Sequence, residues 1–209
     1  MGFVVAIDGP AASGKGTIAV RLGAALGLPV LDTGLLYRAV GVAVLTARGD
    51  PDDAATAARA AAALSAADLD DPTLRTGPAG EAASRVAVHP AVRAALLDFQ
   101  RAFAARAGGA ILDGRDIATV VVPDARAKLF VTATPQARAD RRWRQLRDAQ
   151  PDQTYAAVLE DILRRDARDS GRDTAPLRKA DDAVLLDTTD LDIDAAFDAA
   201  RRIVEAARG

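Results

Sequence analysis

Cysteine is absent from this 209-residue chain, so neither a disulfide framework nor thiol chemistry is open to it. Asparagine is absent too, which removes any N-glycosylation site and the Asn-Lys-x-Asp element by which guanine-nucleotide switches read their base. The single histidine, His89, stands directly before Pro90, where backbone sterics favour an extended turn, and a structural role is expected of it. No His/Asp/Glu spacing suggests a structural metal site. Long apolar runs are missing: Phe3–Ile7 is far too short to span a bilayer. The first residues carry no charged stretch followed by an apolar run and a cleavage site, so a soluble, cytoplasmic protein is expected. A net charge of −2 supplies no global field for nucleic acid or an anionic membrane. Lysine is scarce, with only Lys15, Lys128 and Lys179 among many arginines, so the position of each lysine is informative.

What is present begins at residue 9. Gly9-Pro10-Ala11-Ala12-Ser13-Gly14-Lys15-Gly16-Thr17 satisfies G-x-x-x-x-G-K, the phosphate-binding loop. The run before it, Phe3–Asp8, reads as a buried parallel strand, and Gly16–Leu26 after it has helical spacing that ends near Gly27 and Pro29. Glycines let successive backbone N–H groups curl round a phosphate, and the helix N-terminus adds partial positive charge. Lys15 adds a mobile cation. The alternative is a glycine-rich turn that opens a helix by chance; strand, loop, lysine and helix agreeing together favour binding of a nucleoside triphosphate.

Short apolar runs alternate with helical stretches along one domain's length. The pattern predicts strands at Phe3–Asp8, Pro29–Leu31, Ala110–Asp113, Lys128–Thr132 and Ala183–Asp187. Helices are predicted at Gly16–Leu26, Leu35–Arg48, Asp52–Ser65, Ala91–Ala107, Pro135–Gln150, Tyr155–Ser170 and Ile193–Ala207. That order gives an α/β fold, a parallel sheet of five strands with helices on both faces. Ligands then bind at the carboxyl ends of the strands, where Asp8, Asp32, Asp113 and Asp187 gather. Some of these acids, Asp187 above all, read equally well as loop starters.

A phosphate loop alone does not separate kinases, switches and ATP-driven machines. Arginines at positions expected to face the loop argue for phosphoryl transfer, which relies on positioning and on cations that stabilise the moving group. Thr33 can cap the helix after the second strand, and Arg38 lies one turn in. Arg115 and Asp116 follow a strand together, as a functional pair or as a surface ion pair. Of the arginines near 138–147, Arg138 and Arg142 are the functional candidates. A charge-alternating run, Arg164 to Asp173, leaves a helix end at Ser170-Gly171.

At these residues the sequence resembles the bacterial cytidylate kinases, a family of nucleoside monophosphate kinases. The likeness covers nearly the whole chain. It is carried by Asp8-Gly9-Pro10 into Gly14-Lys15-Gly16-Thr17, by Asp32-Thr33-Gly34 with Tyr37-Arg38, by Asp113-Gly114-Arg115-Asp116 followed by Thr119-Val120-Val121, by Arg165…Asp169…Arg172, and by Ala175-Pro176-Leu177. The resemblance implies a P-loop kinase domain over 1–209, with an acceptor-binding insert at 49–90 and a helical lid at 135–172. It implies transfer of the ATP γ-phosphate to CMP or dCMP, with Mg²⁺. Lys15 and the loop would hold ATP, Arg38 and Arg115 would clamp the acceptor phosphate, and Arg138 and Arg142 would belong to the lid. Thr33, Arg93, Asp116 and Arg172 match positions around cytosine; Ser84, Arg165 and Asp169 match positions near the sugar. Asp187–Leu191 sits where the adenine edge is bounded.

Two departures stand out. Thr33 replaces the more usual serine, and Ser65–Thr73 is too short and too rich in Asp and Pro for the antiparallel strands expected there, so a trimmed acceptor region is predicted. Gly16 occupies a position where many such loops carry a hydroxyl for Mg²⁺, leaving phosphates, water and Thr17 to hold the metal. A related kinase with another acceptor (UMP, AMP or a non-nucleotide) is the runner-up, and a nucleotide-binding regulator without turnover is a third reading. No heptad seam is evident, and a monomer is expected.

Overall fold

In the computed structural model, which describes residues 2–147 and 150–209, the five apolar runs are strands. They are β1 (Val4–Asp8), β2 (Val30–Asp32), β3 (Ala110–Gly114), β4 (Ala127–Thr132) and β5 (Val184–Asp187). All pairings are parallel, and the order across the sheet is β2-β3-β1-β4-β5. Central β1 is buried along its whole length, which is why its sequence is an unbroken apolar run and not an alternation. Edge strand β5 leaves Val184 and Leu185 exposed.

The helices are α1 (Lys15–Leu26), α2 (Thr33–Thr46), α3 (Ala54–Ala62), α4 (Gly77–Val86), α5 (Pro90–Ala104), α6 (Pro135–Leu146), α7 (Tyr155–Ser170) and α8 (Ile193–Arg208). Strand residues alternate between two cores. Val4, Ala6, Ala110 and Leu112 pack under α2 to α5, while Val5, Ile7, Ile111 and Leu129 pack under α1 and α8. Helices α6 and α7 share a small core of their own, Ala139, Val158 and Ile162, into which the P-loop methyl of Ala12 also packs.

One helix departs from the sequence expectation. Gly77, Pro78 and Gly80 weaken the helical signal of α4. Tertiary packing overrides that weakness, because small residues let α4 lie close against α2: a Cβ on Gly41 would stand 2.7 Å from the Ala82 methyl. Thr76 accepts from the Ala79 N–H at 3.4 Å and starts the helix. Between residues 49 and 90 the described residues form helices and two short 3₁₀ turns, Ala66–Asp70 and Pro72–Arg75, with no strand. The helix expected to reach Gln150 ends at Leu146, and residues 148–149 of that expectation lie outside the described residues. His89 sits at the turn into α5, its Nε2 2.9 Å from the Pro51 carbonyl, in keeping with a structural role.

Candidate functional site

The carboxyl ends of β1 and β3 carry the site. After β1 the chain curls tightly: Gly9 has φ 154°, and a Cβ there would stand 2.0 Å from the Val131 carbonyl oxygen, so only glycine fits. Ala12 is held in the left-handed region, and the buried Ser13 hydroxyl has no hydrogen-bond partner within the protein. Lys15 opens α1 with its Nζ 3.6 Å from the Asp113 carboxylate at the end of β3. Burial, then the charge of Arg115, lowers the Lys15 pKa; burial raises the pKa of Asp113 to about 6, against the pull of Lys15.

Two cavities meet here. The first, about 640 Å³, is walled by residues 11–17 of the loop, by Arg142 of α6, and on the far side by Thr188 and Leu191. The second, about 90 Å³, is lined by Thr33, Tyr37, Ser84, Arg93, Asp116, Asp169 and Arg172. Arg38, Arg115 and Arg165 line both, so the junction between the cavities is a ring of guanidinium groups. Gly80 makes room for it: Arg38 Nη2 and Arg165 Nη1 lie 3.3 and 3.5 Å from where a Cβ would be.

Arg38, Arg115 and Arg172 are each aimed by a hydrogen-bond partner. Arg38 donates from Nη1 to the carbonyls of Leu74 at 2.7 Å and Thr76 at 3.2 Å, while burial and then Arg165 lower its pKa to about 10. Arg115 donates from Nε to Asp169 at 2.9 Å. Arg165 has its pKa lowered by burial and then by Arg115, and its buried Nε has no hydrogen-bond partner. Burial alone would raise the pKa of Asp169, but Arg115, Arg172 and Arg165 outweigh it and hold the carboxyl below its usual range. Arg172 donates to the Asp169 carbonyl at 3.1 Å and keeps a buried Nη2 without a hydrogen-bond partner.

In the second cavity Arg93 is paired with Asp116 and lies over the Tyr37 ring, 5.5 Å from its centre. The Thr33 hydroxyl donates to the Asp113 carbonyl at 2.8 Å, so toward the cavity it offers only lone pairs. Gly114 allows this approach, since a Cβ there would stand 2.6 Å from the Thr33 oxygen. Ser84 donates to Asp169 across 3.5 Å.

Arg138 lies elsewhere than the other arginines. It is buried beneath the loop, lines neither cavity, and donates to the carbonyls of Ala133 at 2.9 Å and Ala11 at 3.2 Å and to both oxygens of Asp166 on α7. Sequence reasoning gave Asp166 and Arg141 no role and named Tyr37 only as a marker of the family resemblance. Arg141 donates to Thr188 Oγ1 at 3.0 Å and to the Leu191 carbonyl at 3.3 Å, pinning the far wall of the first cavity. The i, i+3 spacing of 138 and 141 on α6 is the signal that groups them. Among the described residues no three His, Cys, Asp or Glu side chains gather as a metal cage.

A P-loop on a parallel sheet, opening through shared arginines onto a second polar cavity, defines a P-loop phosphotransferase of small molecules. The chain belongs to the cytidylate kinase family, whose model matches residues 5–206. It is 62% identical over 208 residues to a cytidylate kinase of Caulobacter vibrioides, spanning 100% of this chain and 98% of that one. It is 62% identical over 206 residues to a cytidylate kinase of Xanthobacter autotrophicus, spanning 99% of each. A solved structure of an uncharacterized protein from Eubacterium ventriosum covers 99% of each chain with TM-score 0.56 at 13% identity, a shared fold.

Proposed function

We propose that the protein transfers the γ-phosphate of ATP to CMP or dCMP, giving ADP and CDP or dCDP. The observation that carries this reading is the ring of Arg38, Arg115 and Arg165, which faces both cavities at once. In-line transfer needs a donor and an acceptor phosphate held on either side of shared cations. ATP occupies the first cavity, with its phosphates on the loop N–H groups and Lys15. The acceptor occupies the second, with its phosphate on Arg38 and Arg115 and its base among Thr33, Arg93, Asp116 and Arg172. Ser84, Arg165 and Asp169 face its sugar. Helices α6 and α7 form a lid that carries Arg142 toward the polyphosphate and excludes water, which would otherwise hydrolyse ATP.

Base choice follows from hydrogen-bond polarity. Thr33 has spent its proton on Asp113, and Asp116 is a carboxylate, so both present acceptors. Cytosine offers an amino group there; uracil offers a carbonyl and leaves buried acceptors facing an acceptor, costing roughly 1–3 kcal/mol.

Mg²⁺ would travel with ATP, where it neutralises phosphate charge. The residues fit a metal held mainly by phosphates and water: Asp113 keeps a buried oxygen without a hydrogen-bond partner beside Lys15, and Thr17 borders the first cavity.

The test is ADP production from Mg·ATP with CMP, dCMP, UMP and AMP supplied separately. Turnover with CMP and dCMP well above UMP supports the reading. Equal turnover with UMP keeps the kinase and removes the base argument. Absence of acceptor-dependent turnover reduces the site to nucleotide binding.

A further inference from the structure

Asp116 occupies the N-cap position of a short π-helical turn, Ile117–Val121, where the Val120 and Val121 N–H groups bond to the Asp116 carbonyl. An aspartate at that position ordinarily turns its carboxylate back onto the free N–H groups of its own turn. Asp116 makes no such bond; its carboxylate is paired with Arg93 in the second cavity. The turn is capped from elsewhere. Asp8, the last residue of β1, accepts from the Ile117 N–H with one oxygen and from the Ala118 N–H with the other, both at 2.8 Å and both buried.

We infer that Asp8 is a positioning residue for base selection: by capping the turn in place of Asp116, it leaves the Asp116 carboxylate free to read the acceptor base. The inference rests on the CMP-kinase reading above and adds a residue that never touches substrate. Its logic is competitive. Ala118 is the second residue of the turn that Asp116 opens, whose N–H an N-cap carboxylate ordinarily takes, and an uncapped buried N–H draws in an acceptor. Loss of the Asp8 carboxylate therefore pulls Asp116 out of the cavity and strands Arg93 without its partner. Because Asp8 directly precedes Gly9, the same residue fixes the acceptor-reading turn against the root of the P-loop.

Asp8→Asn tests this, since asparagine is isosteric but presents one acceptor and one N–H donor to two N–H groups. The ratio of kcat/KM for CMP to that for UMP is expected to fall about tenfold or more, equivalent to one lost base contact. The KM for ATP is expected to stay within about twofold, because the loop itself is unchanged. A native CMP/UMP ratio in a folded Asp8→Asn protein overturns the inference, as does a loss shared equally by ATP, which would mark a general distortion of the loop. If the native enzyme shows no CMP preference, the functional reading fails first and separately.

Should Asp8→Asn not fold, the native enzyme gives a second measurement. Burial raises the Asp8 pKa to about 7 against the two backbone N–H bonds, and Asp116 and Asp113 are the acids that face it. The 5′-phosphates of CMP and UMP titrate alike, so their ratio cancels substrate ionisation. The CMP/UMP ratio is expected to decline from pH 8 to pH 6 as Asp8 takes up a proton and releases one N–H. A flat ratio across that range overturns the inference.

Discussion

Arg115 donates from Nε to the Asp169 carboxylate at 2.9 Å, at the junction where the two cavities meet. With Nη1 donating to the Gly114 carbonyl at 3.3 Å, the bond leaves Arg115 Nη2 available to a phosphate and fixes the direction in which it points. Arg115→Ala is therefore expected to lower kcat with CMP by about 10²–10³-fold, the cost of removing one transition-state donor. ATP affinity measured by calorimetry should change little. Unfolding of the variant would instead mark Arg115 as part of a structural ion network.

Thr33 separates a hydroxyl's two roles. Thr33→Ser keeps the donation to the Asp113 carbonyl and the free lone pairs, and should retain the preference for CMP over UMP. Thr33→Val removes both, and kcat/KM for CMP is expected to fall roughly tenfold to hundredfold with a smaller effect on UMP. Steady-state assays of the three proteins with both acceptors decide it.

Arg138 acts through the backbone of the loop and through α7. Asp166→Asn weakens its doubly hydrogen-bonded partner while leaving the residues that line both cavities untouched. A stability loss of roughly 1–3 kcal/mol is expected in urea denaturation, with a raised KM for ATP as the Ala11 carbonyl loses its anchored donor. Unchanged stability and an unchanged KM would show the pair to be incidental.

The buried acids set a pH dependence of stability. Burial raises the folded-state pKa of Asp8 to about 7 and of Asp113 to about 6, both from 3.8. Between these limits the folded state binds more protons than the unfolded one, so stability is fully present near pH 4 and declines as pH rises toward about 7. Asp169, whose pKa is lowered, works oppositely and only below its ordinary range, where its contribution is lost on acidification. Urea midpoints at pH 5 and pH 7.5 should show the decline, and Asp8→Asn should reduce it.

The strands were legible because parallel strands buried on both faces are written as short apolar runs, and the P-loop because its glycines and lysine occur in one continuous segment. Helix α4 was hidden by Gly77, Pro78 and Gly80, whose use lies in close packing against α2 and space for Arg38 and Arg165. Asp8 read as a strand-closing acid at the ligand edge and as part of the resemblance, but its capping role was hidden, since its two N–H partners lie more than a hundred residues away. Arg138 read as a lid cation beside Arg142, and nothing in the spacing of α6 tells which guanidinium turns inward to Ala11 and Asp166. The Arg165, Asp169 and Arg172 grouping was visible as charge alternation, but its direction depends on how α7 lies against α4.

The arginine ring has one more consequence. Burial first of all lowers the pKa of Lys15, Arg38 and Arg165; after it, Arg115 and Arg165 lower Lys15, Arg165 lowers Arg38, and Arg115 lowers Arg165, so these cations also repel one another. Like charges held close by packing oppose the folded state and favour a cleft that spreads apart. A polyanion that spans them cancels that repulsion in the same act as it binds. The substrates thus serve as counter-ions for the fold, and the protein should tighten around any oligophosphate long enough to bridge the ring before chemistry begins.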